Sequence, residues 1–371
     1  MSDHLLTLNA GSSSIKFALF GHDDLAAPVF AGQVDGIGLA SDTRLKVRDA
    51  AGAVVHDATL AGAGRTLTHD DAIAAVLAWL QASQQRIVAV GHRIVHGGTR
   101  FVQPVLIDDA VVAQMTELAS LAPLHQPHNV AGVRAARRAF AGLPQVACFD
   151  TAFHAVQPEL NRRFALPQSL FDAGVQRYGF HGLSYESILA QLETNDPRRA
   201  RGRVVVAHLG NGASMCAMHQ GRSVATTMSF SPLDGLPMGT RCGRLDAAVV
   251  LHLIRQMGFG VDEVARLLFR ESGLLGLSGV SSDMRELEAS TAASAAMAID
   301  YFVEHVLREL AGMAAALRGI DTLVFTGGIG ENAVALRERI VRGAAWMGPF
   351  DVRVLRANEE AVIARHTVAL T

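Results

Sequence analysis

The sequence predicts an α/β protein built from two halves of similar plan. Three observations lead there. The chain opens on a β-hairpin with a small polar turn ("LLTLNA", then "GSSS", then "IKFALFG"), and a hairpin of the same plan returns at Arg203 ("RVVVAHL", "GNG", "ASMCAMH"). Each hairpin is followed by another strand and then by helical patterns. The chain has 371 residues, half of them hydrophobic and only 18% charged, which is enough for two domains with large cores. The halves share pattern rather than identity, and two unrelated hairpins are the competing reading. A duplication would make two α/β domains with a cleft between them, a usual place for a pocket.

In chain order, "PVFAGQVDG", "TRLKVRDA" and "GAVVHDATL" extend the first hairpin as strands, and "HDDAIAAVLAWLQAS" reads as a capped helix. "RIVAVGHRIVHGG" is a buried strand ending in a glycine turn. "DDAVVAQMTELASLAPLH" and "NVAGVRAARRAFAG" read as helices, and "PQVACFDTAFH" as a strand with a polar end. After the second hairpin come "DAAVVLHLIRQMG", "VDEVARLLFRES" and a long helix near Ser294–Leu317. A last inner strand, "DTLVFT", breaks at "GGIGEN" before the helix "AVALRERIVRGAAW"; "VRVL" and a final helix close the chain.

Composition excludes several classes. A formal net charge of −2 lacks the basic excess that non-specific nucleic-acid binding needs. The longest apolar helix carries Asp300, Glu304, Arg308 and Glu309, so no membrane partner is expected. The N-terminus lacks the basic lead-in of a signal peptide, and three cysteines without metal-ligand spacing suit a reduced, cytoplasmic setting. Only Lys16 and Lys46 are lysines among 33 basic residues, and one of them lies in the opening turn motif.

Three glycine-containing turns stand at strand ends: "AGSSSIK", "HLGNGAS" and "TGGIGEN". Small side chains let backbone N–H groups approach an anion, and three such turns favour a polyphosphate ligand. There is no GxxxxGK[ST], which removes the P-loop class. "GIGENA" matches the dinucleotide fingerprint GxGxxA, but too little chain follows it to complete that fold, and a dehydrogenase is disfavoured.

Taken in order, "LNAGSSSIKF", "GHRIVHGG", "LAPLHQPHN", "FDTAFH", "RYGFHG", "HLGNGAS", "SPLDGLPMGTRCG", "SSDMREL" and "FTGGIGEN" resemble the acetate kinase family of acyl-phosphate-forming kinases, from Leu8 to about Glu360. The resemblance implies two duplicated ribonuclease H-like (actin/Hsp70-type) α/β domains with the active site in the cleft. It places an N-terminal domain at 1–149, completed by the C-terminal helix at about 360–371, and a nucleotide-binding domain at 150–359. The implied reaction is reversible, Mg²⁺-dependent transfer of the ATP γ-phosphate to acetate by in-line attack of the carboxylate, with Mn²⁺ as a substitute metal. A homodimer is implied, as is phosphate acetyltransferase as pathway partner. The alternatives are a propionate or butyrate kinase of the same family, or a nucleotide-binding scaffold without catalysis.

Residue by residue, the resemblance makes Arg93 the cation for the carboxylate. Val95, Leu124, Phe180 and Pro232 become the small apolar pocket for the acyl tail. It puts Arg241 and His181 on the moving phosphoryl group, with His125 and His208 as supporting contacts; His128 and His154 are weaker candidates. Asn9 and Glu359 would hold the metal, with Asp150 close by. Acetate is already ionised at neutral pH, so Asp150 is expected to orient metal water and substrate rather than to accept a proton. Nucleotide contacts would come from Lys16, Ser12, Ser14, His208, Leu209, Gly210, Asn211, Gly212, Asp283, Met284, Arg285, Gly328, Ile329, Gly330, Glu331 and Asn332. Ser13, by strand alternation, faces away. The chain departs from the family pattern at Cys242, Arg244 and Ala247, where Ser, Asp and Pro are usual, and at Tyr185, where His is common.

Overall fold

The computed structural model describes residues 3–11, 13–38, 42–62 and 66–371. They form two compact units, Met1–Phe153 with Asn358–Thr371, and His154–Ala357.

The first unit carries strands β1 (Asp3–Ala10), β2 (Ser14–Gly21), β3 (Phe30–Asp35), β4 (Thr43–Asp49), β5 (Val54–Ala61), β6 (Arg86–Ile94), β7 (Val105–Leu106) and β8 (Gln145–Phe149). They make one sheet in the order β5-β4-β3-β2-β1-β6-β8-β7. β1 to β5 are antiparallel neighbours, while β6 joins β1 and β8 joins β6 in parallel. "LLTL" is apolar on both sides of the strand because both faces of the sheet are covered. Leu6 and Leu8 pack with Ile15 and Phe17 against Ile73, Val76 and Leu80 of the helix His69–Ala82. Leu5, Ala18, Phe20 and Ala89 pack against Ala361 and Ala364 of the last helix, Glu359–Leu370. Each such buried Leu or Ile contributes about 1.5–3 kcal/mol. That last helix lies so close to β6 that a Cβ at Gly91 would come within 2.3 Å of Thr367 Oγ1. Its start is set by Asn358, whose side chain accepts from the Ala361 N–H at 3.0 Å, and this brings Glu359 to the first helical position. The helix expected from "DDAVVAQMTELASLAPLH" is shorter than its pattern. It spans Asp109–Glu117 and passes into a single tight turn at Leu118–Ser120, and Pro123 keeps the helix from resuming through the rest of the pattern.

The second unit carries β9 (Arg203–Leu209), β10 (Ala213–His219), β11 (Arg222–Thr226), β12 (Thr322–Thr326) and β13 (Asp351–Val354), in the order β11-β10-β9-β12-β13. β9, β10 and β11 run antiparallel; β12 and β13 are added in parallel. Order and directions repeat those of β3-β2-β1-β6-β8, so the two hairpins are the same element used twice. The long helix, Ala293–Leu317, buries Ala295, Ala298, Phe302, Val306, Leu310, Met313 and Leu317, a single stripe at helical spacing. Among the described residues no helix is long and apolar enough to cross a membrane.

"GGIGEN" differs from its expected form. It is a helical turn, Gly327–Asn332, rather than an open loop. The cause is Glu331, whose Oε1 accepts from the Gly327 N–H at 3.1 Å and thereby caps the turn.

Candidate active site

In the first unit the candidate residues gather where parallel strands end, the usual ligand-binding edge of such a sheet. Asn9 is near the end of β1, Arg93 near the end of β6, and Asp150 directly follows β8. Arg93 meets Asp150 as a fork, Nε to Oδ1 at 3.0 Å and Nη2 to Oδ2 at 2.6 Å. Its Nη1 donates to Asn9 Oδ1 at 3.4 Å, and Glu359 Oε2 stands 3.7 Å from Nε. Three of the five guanidinium N–H donors are used in this way. Arg93 and Asp150 are 57 residues apart in sequence and largely buried. Burial disfavours the Arg93 charge, but the Asp150 and Glu359 carboxylates outweigh it and hold the guanidinium well above its ordinary range. The Glu359 carboxyl is pushed up to about 7, chiefly by burial; Arg93 opposes that shift, while Asp150 and Glu360 add to it.

Lys16 lies directly across the hairpin from Asn9, on the same face, and its charge draws the Glu359 carboxyl down. Ser14 closes the turn through its carbonyl, which accepts from the Gly11 N–H at 2.8 Å. Ser12 lies outside the described residues. Val95 is buried, Leu124 is exposed, and His125 stands at the cap of the helix Gln126–Ala139. The sequence reading missed Asn129. Its Nδ2 donates to the Ala10 carbonyl at 2.6 Å and its Oδ1 accepts from the Val95 N–H at 2.9 Å, clipping the Asn9 strand to the Arg93 strand.

In the second unit four motifs converge. His181 has a left-handed backbone (φ 58°) and caps the helix Gly182–Asn195. Its ring stacks on that of His208, centroids 4.3 Å apart. Arg241 is anchored by Nη1 donating to the Pro232 carbonyl at 2.6 Å. A Cβ at Gly212 would lie 2.9 Å from Arg241 Nη2 and 3.4 Å from His181 Nε2. Gly212 has an ordinary backbone conformation, so here the glycine serves space and not strain: its missing side chain leaves room between a guanidinium and an imidazole. Asn211 packs on Gly239, whose N–H donates to the Asn211 carbonyl at 3.1 Å. Gly210 faces the Gly328 N–H across the ends of β9 and β12.

Other candidates contribute less to this cluster. Leu209, Phe180, Met284 and Pro232 are buried. Asp283 caps the helix Met284–Ala289 and is bonded to the exposed Arg285, whose guanidinium holds the carboxyl down at about 2. Ile329, Gly330 and Asn332 belong to the helical turn already described. The departures have local partners. Arg244 pairs with Glu309 of the long helix at 3.2 Å, and burial pushes the Cys242 thiol up to about 11. His154 holds the Phe180 carbonyl from Nε2 at 3.0 Å, and burial lowers its imidazole to about 4. Ser214, inside "HLGNGAS", and Ser184, two residues past "RYGFHG", also went unassigned; they bond to Nδ1 of His181 and of His208, each at 2.8 Å.

A sequence profile described as the acetokinase family matches residues 4–369. The chain belongs to the acetokinase family. The acetate kinase of Methylocella silvestris is 48% identical over 100% of this chain and 98% of its own length, and that of Rhodopseudomonas palustris 51% over 94% and 88%. Among solved structures, a propionate kinase from Francisella tularensis superposes with a TM-score of 0.93 at 33% identity, covering 100% of both chains. The acetate kinase of Porphyromonas gingivalis follows at 0.89, with the same identity and coverage. Membership makes this chain a phosphotransferase that uses acetate, with ATP and ADP as the nucleotide pair.

Proposed function

We propose that the chain transfers the γ-phosphoryl group of ATP directly to the carboxylate of acetate, releasing ADP and acetyl phosphate. The observation that carries this reading is the space at Gly212 bounded by Arg241 Nη2 and His181 Nε2. A phosphoryl group in transfer spreads negative charge over its equatorial oxygens, and fixed donors at that point stabilise it with no reorganisation. Arg93 takes the acetate carboxylate. Asp150 is locked in a fork with Arg93, and the nucleophile is already ionised, so it serves to aim the guanidinium rather than to accept a proton. In this reading Val95, Leu124, Phe180 and Pro232 are the residues assigned to the acyl tail. Lys16, Ser12, Ser14, His125, His208 to Gly212, the Asp283–Arg285 segment and Gly328 to Asn332 contact the nucleotide.

The donors near Arg93 fit a hard divalent cation. Asn9 and Glu359 offer oxygens, and Glu359 is a carboxyl held back from ionising chiefly by burial and further by Asp150 and Glu360, a condition that a cation relieves. Among the described residues no three His, Cys, Asp or Glu side chains form a closed cage; Mg²⁺ uses one or two carboxylates with waters and phosphates. When bound, Mg²⁺, or Mn²⁺ in its place, would neutralise charge on the phosphates. The helix Ala247–Arg255 buries none of its residues, and Leu245, Val249, Leu251, Met257 and Val261 are exposed around it. This supports a homodimer through that face; a monomeric mass in light scattering would remove it. The reading also places the enzyme in the cytoplasm beside phosphate acetyltransferase.

A hydroxamate assay with ATP, Mg²⁺ and acetate, propionate or butyrate tests the function. Acyl phosphate formed fastest from acetate is expected. A propionate or butyrate preference would keep the chemistry and refute the pocket, and no product from any of them would refute the function.

A further inference from the structure

Tyr185 is not part of the assignments above, and it stands at the end of a short chain of hydrogen bonds. Its hydroxyl meets Ser214 Oγ at 2.5 Å, and Ser214 Oγ meets His181 Nδ1 at 2.8 Å. We propose that Tyr185 is a positioning residue which, through Ser214, decides the ring nitrogen on which His181 carries its proton. The inference rests on the reading of His181 as a donor to the phosphoryl group.

Three features support it. Tyr185 is fully buried and burial keeps its phenol protonated, so its O–H is available to donate to Ser214 Oγ. A serine hydroxyl that accepts from Tyr185 has its own single proton to give, and His181 Nδ1 is in reach. Neutral His181 then carries its hydrogen on Nε2, the nitrogen that faces the space at Gly212. The geometry is also built in. Tyr185 and Ser184 occupy the first turn of the helix that His181 caps, and Ser214 sits directly across the β9–β10 hairpin from His208. Ser184 occupies Nδ1 of His208 as Ser214 occupies that of His181, so one helical turn addresses both stacked rings. The charged or titratable groups near His181 include His208 and Arg241.

The test uses the full chain labelled with ¹⁵N-histidine, at about pH 8.5, above the ordinary histidine range. Long-range ¹H–¹⁵N spectra distinguish the two neutral tautomers, and His181→Gln assigns the signals. Wild type is expected to show His181 with its proton on Nε2. Tyr185→Phe, which keeps the ring, is expected to spread the proton over both nitrogens. It should also lower kcat about tenfold, the scale of one lost buried hydrogen bond, with the KM for ATP and acetate unchanged. Ser214→Ala should move both readouts the same way, which keeps the test open if the tyrosine variant does not fold. A wild-type His181 protonated on Nδ1 would overturn the inference, as would a tautomer pattern unchanged by both substitutions. If the spectra follow expectation but His181→Gln keeps wild-type kcat, the donor reading of His181 fails and the positioning by Tyr185 stands.

Discussion

Replacing Arg93 by Ala would do two separable things. It removes the guanidinium proposed to hold acetate, and it strands Asp150, whose side chain is only 2% exposed and whose fork partner is gone. Breaking a buried pair from one side costs about 3–5 kcal/mol, because the remaining charge stays desolvated. For a domain of 150–250 residues each kcal/mol shifts the unfolding midpoint by about 2–4 °C, so a loss of roughly 10 °C is expected. In the hydroxamate assay the acetate KM should rise steeply, while the KM for ATP stays near wild type. Adding Asp150→Asn to the Ala variant removes the stranded charge, and should restore most of the stability without restoring acetate binding. Differential scanning fluorimetry and acetate titrations on the single and double variants give both readouts. An Ala variant with wild-type acetate dependence would refute the substrate role of Arg93. An unchanged midpoint would refute the claim that the fork with Asp150 carries net weight.

Other expectations follow from the same geometry. Gly212→Ala should fold normally, since its φ is ordinary, but should lower kcat by about 10²–10³-fold because the new methyl displaces Arg241 Nη2 from its position; wild-type kcat would empty that space of meaning. Glu359 titrates at about 7 when folded against 4.5 ordinarily, so between those values the folded state binds the extra proton and the metal-free protein loses stability as pH rises from about 4.5 to about 7. Mg²⁺ needs the carboxylate, so its apparent affinity should fall up to about tenfold per unit below pH 7. Glu359→Gln should flatten the stability profile, and calorimetry at several pH values with wild-type and variant protein checks both statements.

Much of the site was legible because its motifs are local. "NAGSSSIKF" and "HLGNGAS" announce hairpins, since small residues between apolar alternations leave the backbone little else to do, and both are hairpins. Apolar periodicity marked the helices, and one of them, Asp109–Glu117, ended earlier than the pattern suggested. "GGIGEN" was misjudged because its outcome depended on a side chain: glycines argue for a loop, and Glu331 caps them into a helical turn.

By itself the sequence determined the strands, the turns and the types of chemistry available: one arginine beside a Gly-Gly turn, histidines in small-residue motifs, and a lysine in the first hairpin. These depend on neighbours a few residues away, whose periodicity and turn preferences are local properties of the chain. The tertiary structure alone decided which of them meet. Asp150 faces Arg93 because β8 lies parallel to β6, Asn129 reaches Ala10 across 119 residues, and the Tyr185 hydroxyl is linked to the His181 ring by Ser214 of β10. Such contacts are set by strand order and helix packing over long sequence separations. No local pattern encodes them, because the same hairpins and helices could be ordered otherwise without changing a single local preference.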